Sequence, residues 1–414
     1  MKNLISIITC FIILYICIEV LWVMYIETKK ILFERHIDHP VKFERRVEVF
    51  RRIMKWTKDP IALVRGCFFN INFEDITHQD ISEWMCWGLY GTDCPEKLEN
   101  ERDKMLLTYA IDKMSEMCGN RKFPNRVGPC SKRNKFVAYS IEPYECGYNM
   151  LFIYTITMCI YPALTNLYLY DLGFRRHNID GIEFWILQQN KSIQPIVFIH
   201  GLGGGIYPYC SFIKSLISLN ATIIIPNLSF ISMHMDDNVP DDDMIVLAIK
   251  NAIELIHNAA VIIGHSYGTA IMSWIIQAYP EIVASAVLLD PISMMLHMPD
   301  TGINFLYKER QYNTLGIIRS DPFVNWILRR HFWWLSSILW LEDIQNIPYV
   351  VVLCMKDEIL PAKAIKEYVE DYSEQQNTIP KMLCFEDFTH GEFLSNQEAI
   401  DKIITAMISA QVSS

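Results

Sequence analysis

The ten residues AAVIIGHSYG, at positions 259–268, join a short apolar run to a serine that two glycines flank. An apolar run of this length is typical of a strand buried on both faces of a parallel sheet. The Gly-x-Ser-x-Gly pattern at its end is typical of a sharp turn between a strand and a helix. Such a turn exposes the serine hydroxyl, and the dipole of the following helix favours negative charge beside it. We therefore expect Ser266 to be a nucleophile, provided that the chain also supplies a sheet, a base and an acid.

The sequence from residue 173 onward predicts the sheet. Short apolar runs alternate there with helical patterns, which is typical of parallel strands joined by crossover helices. The predicted strands are residues 182–187, 195–200, 221–226, 259–264, 285–290, 348–354 and 381–385. The predicted helices are residues 241–257, 269–277, 361–372 and 397–409. We predict an α/β domain over residues 173–414, with a mostly parallel sheet flanked by helices and a helical cap at about residues 291–345.

Two loops that follow later predicted strands offer the base and the acid. His390 and Asp357 each come directly after a strand, at the sheet edge where open α/β sheets form their sites. The chain order serine, acid, histidine is that of a known catalytic architecture. We expect His390 to accept the Ser266 proton and Asp357 to orient the imidazole. Asp290, which ends another predicted strand, and the weaker candidate Glu358 remain as alternative acids.

The motif HGLGGG, at positions 200–205, predicts an oxyanion hole. Glycines after a strand let backbone N–H groups approach a substrate oxygen closely. We expect the backbone N–H groups of Leu202 and Tyr267 to stabilise the negative charge of a tetrahedral intermediate. The cysteine spacing gives little support to a zinc site, and this chemistry requires neither a metal nor an organic cofactor.

Five motifs together resemble the α/β-hydrolase fold: HGLGGG, GHSYG, DPI, KDEILP and THGEFL. The chain more narrowly resembles a group of membrane-anchored fungal α/β-hydrolase proteins, through ISEWMCWGLYG at 81–91 and through NFLYKER and WILRRHFWW within 304–334. The resemblance covers most of residues 60–400 and implies a serine hydrolase fold, without a substrate. DPI recurs in that group, which keeps Asp290 as a functional candidate.

The N-terminal run LISIITCFIILYICIEVLWVMYI, residues 4–26, is apolar except for Glu19. About 20 apolar residues span a bilayer, and this run is too long for the apolar region of a signal peptide. We therefore predict an uncleaved transmembrane anchor at residues 1–28, with a cleaved signal peptide as the alternative. Trp22 and Tyr25 are expected near one membrane interface, where the Glu19 carboxylate would also reach the headgroups.

The charges around this anchor predict its orientation. Only Lys2 precedes it, whereas many basic residues follow between Lys29 and Arg52, which favours a cytosolic catalytic domain. Three glycosylation sequons, at Asn190, Asn220 and Asn227, favour the opposite side. We expect a single-pass protein of the endoplasmic reticulum or another internal membrane, with the catalytic domain in the cytosol.

Residues 29–172 predict a helical N-terminal region. A second apolar stretch at 150–170 fits a second span, a helix packed on the next domain, or a helix lying in the membrane interface. The cysteines of the region form no C-x-x-C pair: Cys67, Cys86, Cys94, Cys118, Cys130 and Cys146. They fit either disulfides in an oxidising lumen or free thiols in the cytosol, and the charge rule favours free thiols.

The predicted cap is rich in aromatic residues, which permits two interpretations. They could form an ordinary helical core, or an apolar lid over an acyl chain that touches the bilayer through Arg329, Arg330 and His331. The net charge of −10 gives no indication of nucleic-acid binding. We expect the bilayer and an ester substrate as partners. The expected activity is hydrolysis of carboxylic esters, especially lipid or long-acyl esters, with an acyltransferase or a non-catalytic membrane scaffold as alternatives.

Overall fold

The structure, a computed structural model, describes residues 2–125, 133–309, 313–379 and 381–412. Its centre is an eight-stranded sheet with the order β1-β2-β4-β3-β5-β6-β7-β8. The strands are β1 (Arg175–Ile179), β2 (Ile182–Leu187), β3 (Ile196–Ile199), β4 (Ile223–Pro226), β5 (Ala260–His265), β6 (Val283–Leu289), β7 (Tyr349–Cys354) and β8 (Met382–Phe385). Strands β3 to β8 pair in parallel, while β2 pairs antiparallel with both β1 and β4.

The predicted mostly parallel sheet flanked by helices is confirmed. All seven predicted strands are present, with ends that differ by at most two residues from the sequence boundaries. The sequence did not predict β1, whose residues are RRHNI and lie almost fully exposed at the sheet edge. An edge strand needs no apolar face, so it leaves no hydrophobic pattern to detect. Arg176 of β1 instead stacks its guanidinium 4.7 Å from the centre of the Trp185 ring.

The helices lie on both sides of this sheet and in the N-terminal region. They are α1 (Lys2–Phe33), α2 (Phe43–Trp56), α3 (Pro60–Cys67), α4 (His78–Tyr90), α5 (Glu101–Met117), α6 (Leu151–Thr155), α7 (Tyr161–Asp171), α8 (Cys210–Ile217), α9 (Asp242–Glu254), α10 (Tyr267–Ala278), α11 (Pro299–Gly302), α12 (Thr314–Ser320), α13 (Pro322–Trp326), α14 (Trp334–Ser337), α15 (Ala362–Gln375) and α16 (Gln397–Val412). A π-helical turn, Ile156–Ile160, joins α6 and α7 into one continuous helix.

Successive residues of each strand point to opposite faces of the sheet and so divide the core into two layers. On β3, Val197 and Ile199 belong to the layer that α9, α10 and α15 cover. Ile196 and Phe198 belong to the opposite layer, which α8 and α16 cover. Because both faces are buried, the central strands read as continuous apolar runs in the sequence.

The N-terminal helices α2 to α5 pack against the cap and share its core. The Trp87 ring of α4 meets the Trp333 ring edge-on at 5.9 Å. Arg52 of α2 forms a 2.6 Å ion pair with Asp343, at the far end of the cap. The predicted helical character of this region agrees with the structure, and the boundaries of the domains stay predictions.

The sequence suggested that Arg329, Arg330 and His331 of the cap contact the bilayer. This interpretation is wrong for the two arginines. Arg329 and Arg330 are both buried. The Arg330 guanidinium donates to the backbone carbonyls of Phe33, Ser140 and Glu142 at 2.9 to 3.0 Å. These bonds satisfy the charge inside the protein, so this part of the cap is core.

Two helices are long and apolar enough to cross a membrane, judged by length and composition alone: Leu4–Phe33 and Leu151–Asp171. The side chains of residues 4–21 of α1 are exposed, except for the partly buried Glu19. At about 1.5 Å per residue this part is about 27 Å long, close to the thickness of a bilayer's hydrocarbon core.

The remaining part of α1 is held by the protein. Trp22 was expected at a membrane interface but is buried, because its indole N–H donates to the Asn149 carbonyl at 3.0 Å and its ring packs against Tyr154. The Glu19 carboxylate was expected to reach lipid headgroups. It accepts hydrogen bonds from the Tyr148 hydroxyl and, at 2.9 Å, from the Leu151 backbone N–H.

The cysteines of residues 67–146 that the structure describes are all free thiols, and Cys130 lies outside the described residues. Burial raises the pKa of Cys67 and raises the pKa of Cys86 to about 12, so both thiols stay protonated and unreactive at neutral pH.

Candidate active site

The turn between β5 and α10 places Ser266 in a conformation that L-residues rarely adopt, with φ 52° and ψ −119°. Backbone hydrogen bonds keep Ser266 in this strained conformation; one of them runs from the Ser266 N–H to the Leu289 carbonyl at 3.0 Å. Both flanking glycines are required sterically. A Cβ on Gly268 would lie 2.3 Å from the Ile199 carbonyl oxygen, and one on Gly264 would lie 2.8 Å from the Gly268 oxygen.

The structure brings Ser266, His390 and Asp357 together in one chain of hydrogen bonds. The Ser266 hydroxyl lies 2.9 Å from Nε2 of His390, and Nδ1 of His390 lies 2.6 Å from Oδ2 of Asp357. The other oxygen of Asp357 accepts the backbone N–H groups of Ile359 and Leu360 at 2.7 and 2.9 Å. These bonds fix the carboxylate, which in turn fixes the ring and leaves Nε2 free to accept the serine proton.

Asp290, the alternative acid, lies close to the same imidazole but is engaged elsewhere. Its Oδ1 accepts the Cys354 N–H at 2.7 Å and its Oδ2 accepts the Gly391 N–H at 2.8 Å. Asp290 therefore fastens the loop that carries His390 to the end of β7. Burial raises the pKa of the Asp290 carboxyl, against the opposing attraction of His390. The geometry favours Asp357 as the partner of the ring and Asp290 as a positioning residue.

The charges around His390 set the protonation of the base. Burial by itself would lower the pKa of the imidazole, but the carboxylates of Asp357, Asp290 and Glu358 outweigh it and raise the pKa above 6.5. A higher pH than for an ordinary histidine is therefore needed to bring the ring into its neutral, proton-accepting form. Together with its two aspartates, His390 also forms a cluster whose ligand atoms lie within 4.8 Å of one another, a spacing that suits a metal ion. The hydrogen bonds of this cluster fit proton transfer equally well, and no metal is needed for it.

The loop of residues 200–205 lies directly against the serine. A Cβ on Gly201 would stand 3.0 Å from the Ser266 Cβ, so glycine allows this close approach without displacing its neighbours. Leu202 and Tyr267 both line the same cavity as the serine. In the parts of the chain that the structure describes, no protein acceptor is hydrogen-bonded to either backbone N–H. Both donors are thus available to a substrate oxygen, and their role as an oxyanion hole stays a prediction.

Tyr209 is a residue of the site that sequence reasoning missed. Its hydroxyl accepts the Gly201 N–H at 3.0 Å and lies 2.8 Å from Nδ1 of His265, the residue before the nucleophile. The Tyr209 hydroxyl thereby links the glycine-rich loop to the turn that carries Ser266. A tyrosine eight residues beyond a glycine has no local pattern that would mark it, so only the fold shows this link.

Ser266 lines a cavity whose walls are almost entirely apolar. Apart from the loops around Ser266, these walls come from two regions of the chain. The cap contributes Leu296, Phe305, Leu328, Phe332 and Trp334; the N-terminal helices contribute Phe50, Ile53, Leu63, Trp84, Met85, Trp87, Gly88 and Met114. Some aromatic residues of the cap line the cavity while others, such as Trp340, are core, and the role of the cap as a lid over an acyl chain stays a prediction. The contribution of the N-terminal helices was not predicted.

Comparison with known proteins agrees with this architecture. The sequence model of a family described as "alpha/beta hydrolase fold" matches residues 194–315, which include Ser266 but neither His390 nor Asp357. No curated protein sequence matches this chain. The narrower resemblance to membrane-anchored fungal proteins is not confirmed by these comparisons.

Several solved structures are similar to part of the chain. A membrane phospholipase A, described as a bacterial virulence factor, is 13% identical over 63% of this chain and 94% of its own, with a TM-score of 0.41. An esterase from Exiguobacterium antarcticum is 15% identical over 56% of this chain and 98% of its own, with a TM-score of 0.41. A carboxylesterase from Bacillus subtilis is 10% identical over 62% and 97%, also with a TM-score of 0.41.

Proposed function

Because the chain has the α/β-hydrolase fold, we propose that it is a membrane-anchored serine hydrolase that cleaves carboxylic esters with long acyl chains. The fold supports a hydrolase in general. The observation that carries the specific proposal is the hydrogen-bond chain from Ser266 through His390 to Asp357. A serine hydroxyl is a weak nucleophile, and this arrangement is what activates it.

The mechanism follows from these positions. His390 takes the proton of the Ser266 hydroxyl through Nε2 as the oxygen attacks the ester carbonyl. The backbone N–H groups of Leu202 and Tyr267 stabilise the negative oxygen of the tetrahedral intermediate. His390 then gives the proton to the leaving alcohol, and an acyl-enzyme remains. Water, deprotonated by His390, attacks the acyl-enzyme and releases the carboxylic acid and the serine hydroxyl.

The shape and chemistry of the cavity indicate the acyl group. Apolar walls that extend from the nucleophile into the cap and the N-terminal helices can bury a long hydrocarbon chain, whose burial is favourable by about 0.8 kcal/mol for each CH₂ group. A short acyl group would contact little of this apolar lining and gain little of this energy. The cavity therefore favours lipid or other long-acyl esters.

Replacing Gly88 with phenylalanine tests this assignment. Gly88 of α4 lines the cavity, and a Cβ there would meet only the Trp334 ring, at 3.8 Å, so a larger side chain would fill the acyl space. We expect kcat/KM for a lauroyl ester to fall by about tenfold or more while that for an acetyl ester stays within about twofold. The comparison is made with purified full-length protein in neutral detergent.

Ser82→Phe is the matched control, because Ser82 lies on the same helix outside the cavity. This variant should keep the preference of the wild-type protein for the lauroyl ester. An equal loss on both esters in Gly88→Phe, or an unchanged preference, would reject the acyl role of this cavity and leave the nucleophile unaffected.

We further propose that α1 anchors the protein in the membrane with the catalytic residues on the cytosolic side. The exposed apolar length of α1, the basic residues that follow it and the free thiols of Cys67 and Cys86 support this topology. In sealed microsomes, added protease should digest a C-terminally tagged protein without detergent, while a lumenal marker stays intact. Protection of the tag until detergent is added would contradict the cytosolic orientation.

A further inference from the structure

Arg319, in helix α12 of the cap, is a buried cation without a hydrogen-bond partner. Only 7% of the residue is exposed, and none of its three side-chain nitrogens forms a hydrogen bond. No ion pair to a carboxylate involves it in the described part of the chain. The two other buried arginines of the cap differ, because Arg329 pairs with Glu142 and Arg330 bonds to backbone carbonyls. Burying a charge without a partner is costly, so Arg319 calls for an explanation.

The position of Arg319 connects it to the proposed active site. Its neighbour Ile318 packs against the glycine-rich loop, where a Cβ on Gly203 would lie 2.8 Å from the Ile318 Cδ1. The guanidinium carbon of Arg319 lies 5.9 Å from the centre of the Phe305 ring, and Phe305 lines the acyl cavity. This ring contact uses none of the guanidinium N–H groups. Arg319 itself does not line the cavity. It packs behind Phe305, which does, and it lies close to the glycine-rich loop of residues 200–205.

The carboxylate of Glu358 acts on both Arg319 and His390. Burial lowers the pKa of the Arg319 guanidinium, and the Glu358 carboxylate opposes this shift without forming an ion pair. The same carboxylate contributes to the raised pKa of His390. Arg319 is thus a positive group close to the cavity wall whose hydrogen-bonding capacity is unused.

We propose that Arg319 binds an anionic group of the substrate, a phosphate or carboxylate, while the acyl chain of the same molecule fills the apolar cavity. This inference rests on the proposed function and narrows its substrate class to anionic lipid esters. A guanidinium presents N–H donors in a planar fork that matches two oxygens of such a group. In a site shielded from water this pairing is stronger than at the surface. The substrate would then be held at both ends, with its ester at Ser266.

Ligand binding without turnover tests the proposal. The Ser266→Ala protein in neutral detergent is titrated with monododecyl phosphate, dodecanol and inorganic phosphate, and tryptophan fluorescence is measured. We expect the alkyl phosphate to bind at least about tenfold more tightly than dodecanol. One charge-assisted hydrogen bond is enough to account for a difference of this size. Adding Arg319→Met should remove this preference. Lys308→Met, which removes an exposed charge from the same cap, should leave it intact.

The outcomes separate the two proposals. If the double variant Ser266→Ala, Arg319→Met still prefers the alkyl phosphate, the anion site is rejected and the hydrolase proposal stands. If the preference depends on Arg319 but the wild-type serine is inert, the hydrolase proposal fails and the anion site stands. Inorganic phosphate that binds as tightly as the alkyl phosphate would reject a lipid ligand in favour of free phosphate.

Folding is checked in the same proteins. Methionine removes an unpaired buried charge and keeps the length of the side chain, so the Tm of Arg319→Met should not fall. Arg319→Lys keeps the charge but loses the planar fork, and we expect it to weaken alkyl phosphate binding by a smaller factor than methionine does. If Arg319→Lys binds the alkyl phosphate as tightly as the protein that retains Arg319, recognition by the planar guanidinium is contradicted.

Discussion

Replacing Ser266 with alanine will lower kcat for a lauroyl ester by about 10⁴-fold or more. The variant keeps the cavity, the base and the backbone N–H donors, but it has no oxygen with which to form the acyl-enzyme. The substitution removes one small group at a position where the backbone strain is set by the turn itself, so we expect little change in Tm. Turnover is measured by release of a chromogenic alcohol from purified full-length protein.

Ser273→Ala is the control for this loss. Ser273 is also buried on α10, but its hydroxyl donates to the Ile338 carbonyl, and it does not line the cavity. This variant should keep most of the activity. If Ser266→Ala lost less than about tenfold in kcat, another group would have to be the nucleophile, because a triad without its serine retains only binding and oxyanion stabilisation.

Replacing Asp357 with asparagine should lower kcat by about 10³-fold or more, because the amide no longer holds the neutral ring with its proton on Nδ1. The pH profile gives an independent signature. The Asp357 carboxylate is the largest of the groups that raise the pKa of His390, so its removal must lower that pKa. The base then becomes neutral at lower pH, and the acid limb of kcat/KM moves to lower pH. A structural defect alone would reduce activity without moving this limb in that direction.

Asp290→Asn distinguishes the two aspartates. Its carboxylate accepts two backbone N–H groups, and an amide can accept at only one of its two positions. We expect a loss of about 1–3 kcal/mol in the free energy of unfolding, seen as a lower Tm, and a smaller loss of kcat than in Asp357→Asn. Full activity in Asp357→Asn together with an inactive, normally folded Asp290→Asn would reverse the assignment of the acid.

The strands and the three side chains of the hydrogen-bond chain were predictable because each leaves a local mark in the sequence. A strand buried on both faces must be continuously apolar, as β5 and β7 are. Residues directly after parallel strands must meet at one sheet edge, which brings Ser266, Asp357 and His390 within reach of one another. The sequence could not choose between Asp357 and Asp290, because both follow strands and the choice depends on loop geometry.

Other features depend on packing between distant segments and could not be predicted. Helix α4 shows an apolar face, but nothing in its sequence indicates that Gly88 would border a cavity that opens at Ser266. Arg319 and Arg330 are both arginines among aromatic residues, yet one is unpaired and the other fully bonded. The sequence predicted Trp22 at a membrane interface, but Trp22 is buried, because α1 continues into the protein.

Covalent labelling of the folded wild-type protein tests the central claim most directly. An alkyl fluorophosphonate forms a stable phosphonyl ester only with an activated serine, and peptide mass mapping locates the adduct. We expect one adduct per chain, on Ser266, with loss of labelling in both Ser266→Ala and His390→Ala. A correctly folded protein that remains unlabelled, or that carries its adduct on another residue, would contradict the proposal that Ser266, His390 and Asp357 act together as a catalytic unit.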